Sequence, residues 1–297
     1  MILRMRPAIT LLITLSVIAT MIALMGVMFK YLDVARSKAE VKASLIQANL
    51  LSSDITQLLR QILGKSPSKN TMQTLFETPL GLQVQTGEFA MGISCTPLAN
   101  RINIAWLGWE NNSKKQKEYL LAESIFEMLV DRTNLRDSAV LREKIVAALQ
   151  ENSSMIYGIP SRLNEKKGII SWKRFQQILD DYRYEVDDVA IYQIPWQKYF
   201  SFGVNSQRID GDFVTPELLA FLYDTELSVV QDGYQWGALD TFLSEIGESR
   251  DTYKWLFSKK ALAVAACRAT YGFRKGNYGF KFNYVDGRIE GFEFFGN

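Results

Sequence analysis

Histidine is absent from this chain of 297 residues, and cysteine occurs only twice. Without histidine the chain has no Ser-His-Asp or Cys-His nucleophile system, no HExxH zinc site and no imidazole proton shuttle. Charge is nearly balanced, with 34 basic and 32 acidic residues, so no bulk electrostatic field attracts nucleic acid. These absences exclude much of enzyme chemistry and leave a structural or binding role as the favoured class.

Helix-breaking residues are rare in the first fifth of the chain. Proline is absent from residues 8–66 and glycine from residues 27–63, which predicts one continuous helix from about Ala8 to Leu63. In the second half of this helix, apolar residues recur at steps of three and four, the pattern of one amphipathic stripe. The stripe consists of Leu45, Ala48, Leu51, Ile55, Leu58 and Ile62.

The first half of the predicted helix carries no charge from Ala8 to Phe29, a run of 22 residues. A helix of that length measures about 33 Å and crosses a bilayer core of about 30 Å. Arg4 and Arg6 precede the run, so the positive-inside rule predicts a cytoplasmic N-terminus. A removable secretory leader has a shorter apolar core followed by a cleavage site. The sequence therefore favours a membrane helix with an exported body.

The body changes character twice along the chain. Strands are predicted in the segments LQVQT, EFAMGISC and RINIAWL, within residues 82–107, and in alternating segments of residues 259–295. The stretch between them is predicted to be helical, with one helix capped by Ser171 and another that begins at Thr215 and Pro216. Because unpaired strand edges are a liability, we expect the two β pieces to form one antiparallel sheet against the amphipathic stripe.

The predicted fold class is therefore α+β, with a long N-terminal membrane helix, an antiparallel sheet and an inserted all-α domain. The predicted segments are the helix at 9–63, the two parts of the β body at 64–109 and 259–297, and the helical insert at 110–258.

The end of the chain gathers aromatic residues on one strand face. Alternation places four of them together: Tyr278, Phe280, Phe282 and Tyr284. For Phe292 and Phe294 to join this face, the connecting loop must contain an odd number of residues. A three-residue loop at 285–287, with Gly287 left-handed in a bulge, is predicted.

Two groups of side chains are candidate sites in the body. Asp210, Asp212 and Glu217 offer oxygen ligands for calcium, but a solvated turn with a helix-capping charge is the favoured explanation, because the full EF-hand spacing is absent. Cys95 and Cys267 fall in the two β pieces. They form either a disulfide in an oxidising compartment or two buried thiols.

The order of these elements resembles the minor pseudopilin K family of type II secretion systems over nearly the whole chain. The start RPAITLLITL resembles a prepilin processing site. Three later segments resemble family segments of the body: ISCTPLANRINIAWL, ISWKRFQQILDDYRYEVDDVAIYQIPWQKYFSF and DGDFVTPELLAFLY. The resemblance implies a leader at residues 1–8 and cleavage between Ala8 and Ile9, with alanine where glycine is usual, and it implies a pilin-like helix and sheet.

The resemblance also assigns a role to the membrane run. Ile13 would be the fifth mature residue, where filament-forming pilins carry a glutamate that pairs with the N-terminal amine of a neighbouring subunit. A carboxylate within a membrane is costly without that partner, so Ile13 suits a subunit at the tip, with no neighbour beyond it. The residues expected to pack against neighbouring stems are Leu11, Ile13, Leu15, Ile18 and Ile22.

The expected function is that of a minor pseudopilin, a single-pass inner-membrane protein with a periplasmic body that nucleates a short filament. The partners implied are other minor pseudopilins, the inner-membrane assembly platform, prepilin peptidase and membrane lipid, with no nucleic acid. No enzyme activity is expected, and no cofactor apart from the candidate calcium. The alternative is a single-pass membrane-anchored periplasmic protein of unrelated function, either a binding module or a histidine-free hydrolase.

Overall fold

The computed structural model describes residues 6–64, 66–83, 90–150, 155–156, 159–160, 168–169, 171–203, 208–273 and 276–296. Its helices are α1 (Arg6–Leu63), α2 (Lys69–Glu77), α3 (Gln116–Arg132), α4 (Ser138–Gln150), α5 (Trp172–Val186), α6 (Trp196–Tyr199), α7 (Pro216–Leu222), α8 (Leu227–Gly233) and α9 (Leu239–Glu245). Its strands are β1 (Leu80–Gln83), β2 (Ala90–Pro97), β3 (Ile102–Asn103), β4 (Met155–Ile156), β5 (Ile159–Pro160), β6 (Phe200–Ser201), β7 (Val264–Phe273), β8 (Gly276–Val285) and β9 (Arg288–Gly296).

The first helix runs without a break for 58 residues, which confirms the helix predicted from the lack of proline and glycine. It ends at Leu63, and Gly64 follows with a φ of +60°, a backbone conformation that glycine adopts at low cost. The next helix, α2, begins after Ser68, whose hydroxyl accepts a hydrogen bond from the Thr71 amide at 3.1 Å. This N-cap satisfies one of the backbone amides left unpaired at the start of α2.

The central sheet has five strands in the order β1-β2-β7-β8-β9, and every neighbouring pair is antiparallel. The two β pieces predicted on either side of the helical insert therefore do join, through the pairing of β2 with β7. The described part of the predicted LQVQT strand lies at the end of β1, and its last three residues lie outside the described residues.

The predicted strand RINIAWL is wrong beyond its first residues. Ile102 and Asn103 pair in parallel with β6, away from the central sheet. The Asn103 side chain then accepts a hydrogen bond from the Ala105 amide at 2.8 Å and starts a 3₁₀ helix, Ile104–Trp109. Trp106 is fully buried in the helical body. The core of that body therefore begins before the predicted boundary at residue 110, because the segment can bury its apolar side chains on more than one side.

The β8–β9 connection differs from the predicted three-residue loop. Val285 pairs directly with Arg288, so the turn contains only Asp286 and Gly287, at φ values of +47° and +86°. Two positive values are typical of a type I′ turn. The extra residue that brings Phe292 and Phe294 to the aromatic face lies farther along β9. There Gly291 has a φ of +63°, beside a register shift opposite residues 281–283.

Phe292 and Phe294 nevertheless lie on the aromatic face, as predicted from the sequence. After the bulge, Phe294 stacks on Tyr278 with ring centroids 6.1 Å apart, and Phe292 stacks on Phe280 at 4.9 Å. The prediction that these two residues join the aromatic face is confirmed. The predicted position of the bulge was wrong. A two-residue turn followed by a glycine bulge puts the same residues on the aromatic face as one three-residue loop does, so alternation alone could not distinguish them.

Two large hydrophobic cores lie side by side among the described residues. One lies between α1 and the inner face of the sheet, and the other fills the helical body. Three aromatic rings join them edge to face: Phe76 of α2 lies 5.0 Å from Phe213 and 6.3 Å from Trp236, centroid to centroid. The helical insert is thus packed against the β body and does not hang from it on a free linker.

Candidate assembly surface

The membrane-length part of α1 stands clear of the rest of the described chain. Among the described residues, one helical segment is long and apolar enough to cross a membrane. That segment lies within Leu11–Leu63, and none of it is buried. Two hydroxyl groups inside it are satisfied within the helix: Thr14 donates to the Leu11 carbonyl at 2.9 Å and Thr20 to the Val17 carbonyl at 2.8 Å. These two hydroxyl groups can therefore contact lipid without leaving a hydrogen-bonding group unpaired.

The residues predicted to pack against neighbouring stems are all in this exposed part. Each of them exposes more than half of its side chain: Leu11, Ile13, Leu15, Ile18 and Ile22. Ala8 and Ile9 lie in the first turns of α1, but their side chains are outside the described residues. Stem packing and processing therefore stay predictions, on a helix whose apolar surface is available to a partner.

The second half of α1 packs against the sheet along one stripe. The buried members are Ala48, Leu51, Ile55, Leu59 and Leu63. The predicted stripe is right in its middle, but Leu45 and Ile62 are 39% and 38% exposed. The stripe shifts by one residue towards its end because an α-helix of 3.6 residues per turn drifts relative to a fixed pattern of threes and fours.

Two long-range hydrogen bonds fix α1 to the sheet at either end of this stripe. The Tyr271 hydroxyl donates to the Ser44 carbonyl at 2.6 Å, and Arg60 Nε donates to the Gly287 carbonyl at 2.5 Å. Burial raises the pKa of the Tyr271 hydroxyl to about 12, so it remains a donor at physiological pH. The helix thus has one defined face towards the sheet and one defined face away from it.

The face away from the sheet carries a second apolar stripe, which sequence reasoning missed. Its members are Leu32, Ala35, Ala39, Ala43, Ile46 and Leu50. At about 100° per residue, they lie on the side of the helix opposite the buried stripe. The side chains of Leu32, Ile46 and Leu50 are 60–64% exposed. The signal was present as steps of three and four, but three alanines made it inconspicuous.

This outer stripe has the chemistry of a helix-packing surface. Alanines in its middle allow another helix to approach closely, and the larger side chains at its ends provide contact area. Charged residues flank it, including Arg36, whose Nε lies 3.4 Å from a Glu40 carboxylate oxygen. Exposed apolar patches rimmed by polar residues are typical of protein interaction sites. Together with the membrane run, the outer stripe forms the candidate assembly surface.

The acidic residues predicted as a calcium site do not converge on one point. Asp210 accepts hydrogen bonds from the amides of Leu262 at 2.9 Å and Asp212 at 3.2 Å. Glu217 instead pairs with Lys198 at 2.9 Å. No group of three metal-ligating side chains comes together in the part of the chain that the structure describes. Calcium stays a prediction without a site among these residues.

The favoured explanation, a solvated turn with a helix-capping charge, is wrong about solvation, because Asp210 and Asp212 are buried. Its helix-capping part is confirmed, since Asp210 caps the short helix Gly211–Phe213 and Glu217 lies in the first turn of α7. Asp212 Oδ1 lies 3.3 Å from Lys69 Nζ of α2 and 3.6 Å from Arg250 Nη1 of the helical body. Burial raises the pKa of the Asp210 carboxyl to about 6, opposed mainly by its hydrogen bond from Leu262. These carboxylates hold the junction between the two cores.

The helix starts predicted nearby have mixed outcomes. Ser171 caps α5 by accepting a hydrogen bond from the Arg174 amide at 3.2 Å, which confirms that prediction. Pro216 is the first residue of α7. The Thr215 side chain does not cap α7, because its hydroxyl donates to the Lys198 carbonyl at 2.7 Å. Competition from a tertiary partner thus replaced the local cap.

The two cysteines face each other across the central strands. Cys95 of β2 and Cys267 of β7 are register partners with Cα atoms 4.1 Å apart, and the structure joins them as a disulfide. Both are buried in the core between α1 and the sheet. The bond links the two β pieces that the helical insert separates by 172 residues in sequence.

Comparison with known proteins addresses the fold. No protein-family profile and no curated protein sequence matches the chain. Among solved structures, it is similar to a chain of the crystal structure of the GspK-GspI-GspJ complex from the enterotoxigenic Escherichia coli type 2 secretion system. The match has a TM-score of 0.55 at 12% identity and covers 88% of this chain and 99% of that chain. The long apolar helix, five-stranded antiparallel sheet and added helices therefore form a mixed α+β, pilin-like fold shared with a component of a secretion pseudopilin complex.

Proposed function

We propose that this protein is a minor pseudopilin that assembles with other minor pseudopilins at the tip of a type II secretion, or related type IV pilus-like, pseudopilus. The observation that carries the proposal is the fold likeness over 88% of the chain to a component of a complex of three such proteins. The exposed apolar surface of α1 supports it, because the rest of the described chain leaves that surface free to contact other helices.

In this role α1 is both anchor and contact surface. The membrane run crosses the inner membrane once, with the N-terminus in the cytoplasm and the body in the periplasm. The stem residues and the outer stripe pack against the helices of neighbouring subunits. Ile13 lacks the carboxylate that a filament-forming subunit uses towards its neighbour, so this subunit starts a filament and does not extend one.

The proposed work is assembly and not catalysis. Binding of two or more apolar helices along one another nucleates a short filament, since each subunit buries stem surface that it cannot bury alone. Prepilin peptidase and the inner-membrane assembly platform are the proposed partners before and during this step. A membrane-anchored periplasmic protein of unrelated function, the alternative, requires no pilin-like partner.

Co-purification of the full chain in mild detergent with co-expressed minor pseudopilins of its own system tests the proposal. We expect the wild-type chain to retain them and Ile46→Glu to lose them, because a carboxylate in the outer stripe cannot be buried against a helix without a partner charge. Asn49→Glu adds the same charge beside the stripe on the same exposed helix and should retain them. Recovery of a stable wild-type monomer without partners would contradict the assembly role.

A further inference from the structure

A cleft of about 970 Å³ lies between the outer face of the central sheet and the helical body. The sheet contributes residues of β2, β7, β8 and β9, and the helical body contributes the start of α5 with residues around Gln197 and Phe202. This is the sheet face opposite α1, since the alternate residues of the same strands, such as Ala269 and Phe280, are buried against the helix. The cleft is separate from the candidate assembly surface.

The floor of the cleft contains an unfavourable pair of charges. Arg268 of β7 lies directly opposite Lys281 of β8, with Ser94 and Glu293 completing the row across the sheet. Like charges directly opposite one another destabilise a sheet. Glu293 supplies one carboxylate for two cations, and the Arg268 guanidinium lies 4.5 Å from the centre of the Phe295 ring. The row therefore keeps an excess of positive charge.

The opposite wall adds more positive charge. Arg101 and Lys173 line the cleft from the helical body. Lys173 lies in the first turn of α5, a 15-residue helix with no acidic residue in that turn, so no carboxylate of the turn offsets the positive end of the helix. The lining thus contains four cationic side chains and one carboxylate, Glu293.

The Arg101 side chain is held in place within this wall. Its Nη1 donates to the Gln197 carbonyl at 2.5 Å and its Nε donates to the Asn100 side chain at 2.9 Å. Burial lowers the pKa of Arg101, with Glu217 opposing that shift. The cations of the cleft therefore come from two elements, the sheet and the helical body, that line the same space.

We propose that this cleft binds an acidic, extended peptide segment of a partner protein. Carboxylates of such a segment would be attracted to Lys281 and Lys173, and they would offset the repulsion between Arg268 and Lys281. Polar side chains between the charges, including Ser94 and Asn283, offer hydrogen bonds to a peptide backbone. The partly buried ring of Trp172 offers an apolar contact.

The position of the cleft favours a protein segment over lipid headgroups. The charge-free run of α1 ends at Phe29, and the helix first becomes buried in the body at Ser44. As a helix, that interval places the body about 20 Å from the end of the membrane run. The cleft lies on the side of the sheet away from α1. A nucleic acid is the other polyanion that the charge alone would admit, and the test includes it.

Fluorescence anisotropy of the full chain in detergent tests the proposal with a labelled octapeptide in which glutamate alternates with serine. We expect saturable binding that weakens as salt is raised, and no binding of the matched peptide with glutamine in place of glutamate. The Lys173→Glu/Lys281→Glu double variant should bind the acidic peptide at least tenfold more weakly. The Lys254→Glu/Lys259→Glu double variant makes the same charge change outside the cleft and should bind it as the wild type does.

Three results would overturn the proposal: equal weakening by both double variants, equal binding of the glutamine peptide, or tighter and equally charge-sensitive binding of a labelled oligothymidine. If the cleft double variant does not fold, the single change Lys281→Gln replaces it, with a smaller loss of affinity expected. Retention of co-purified minor pseudopilins by the cleft variants separates this inference from the assembly role, which the Ile46→Glu variant tests.

Discussion

Tyr271 donates a buried hydrogen bond to the backbone carbonyl of Ser44, across a sequence separation of 227 residues. The bond marks the point at which α1 leaves solvent and enters the body, because Ser44 is the first buried residue of that helix among those described. It couples the position of the stem to a central strand of the sheet.

Replacing Tyr271 with phenylalanine removes this donor and keeps the ring. We expect the free energy of unfolding of the full chain in detergent to fall by about 1 kcal/mol, the usual net value of one hydrogen bond. Tyr184→Phe makes the same chemical change at a side chain that is 93% exposed and should leave stability unchanged. Equal stability of the two variants in denaturant titrations would contradict the role of the bond.

The Cys95–Cys267 disulfide closes a loop with a sequence separation of 172 residues. On the chain-entropy model, a loop of that size stabilises the folded state by at most about 5 kcal/mol. We expect the Cys95→Ser/Cys267→Ser variant to lose about 2–5 kcal/mol in denaturant titrations. Mass spectrometry after alkylation, with and without reductant, checks the bond itself. An identical mass under both conditions would show that the wild-type chain has no bridge.

Gly279 of β8 has no room for a side chain. A Cβ at this position would lie 2.5 Å from the Ala269 carbonyl oxygen and 2.6 Å from the ring of Phe295. We expect Gly279→Ala to destabilise the chain by about 1–3 kcal/mol through overpacking. Gly272→Ala on β7 places a Cβ in open space. Thermal unfolding should show a clear loss for the first variant and little change for the second.

Asp210 makes stability depend on pH. Burial raises the pKa of its carboxyl from 3.8 to about 6, so between pH 4 and 6 the folded state binds a proton that the unfolded state has lost. The free energy of unfolding should therefore fall as pH rises through this window, by up to about 3 kcal/mol. The difference between wild type and Asp210→Asn isolates this contribution.

The measurement is the stability of both proteins at pH 4, 5, 6 and 7. The wild type should lose stability relative to Asp210→Asn over that range. Asp251→Asn, with a side chain 82% exposed, reports the effect of removing a surface carboxylate. A wild-type advantage that grows with pH would mean that the junction stabilises the ionised carboxyl, contrary to the expected sign.

Local patterns predicted the elements whose causes are local. The scarcity of proline and glycine between Pro7 and Gly64 determined the length of α1, and Ser171 determined the start of α5, because both effects act within a few residues of the backbone. The strand RINIAWL was misread because the Asn103 cap and the burial of Trp106 on the helical body outweigh β propensity. Asp210 and Asp212 looked solvated because their partners Leu262, Lys69 and Arg250 are distant in sequence.

By itself, the sequence determined that this protein has one long helix with a charge-free first part, a β body interrupted by helices, and none of the chemistry that requires histidine. Only the tertiary structure decided which side of α1 is buried, and hence that Leu32, Ile46 and Leu50 face away from the sheet. It also decided that Arg268 and Lys281 meet beneath the helical body. The physical reason is that the period of a helix or strand determines which residues share a face of that element. Packing between elements then determines which face is buried.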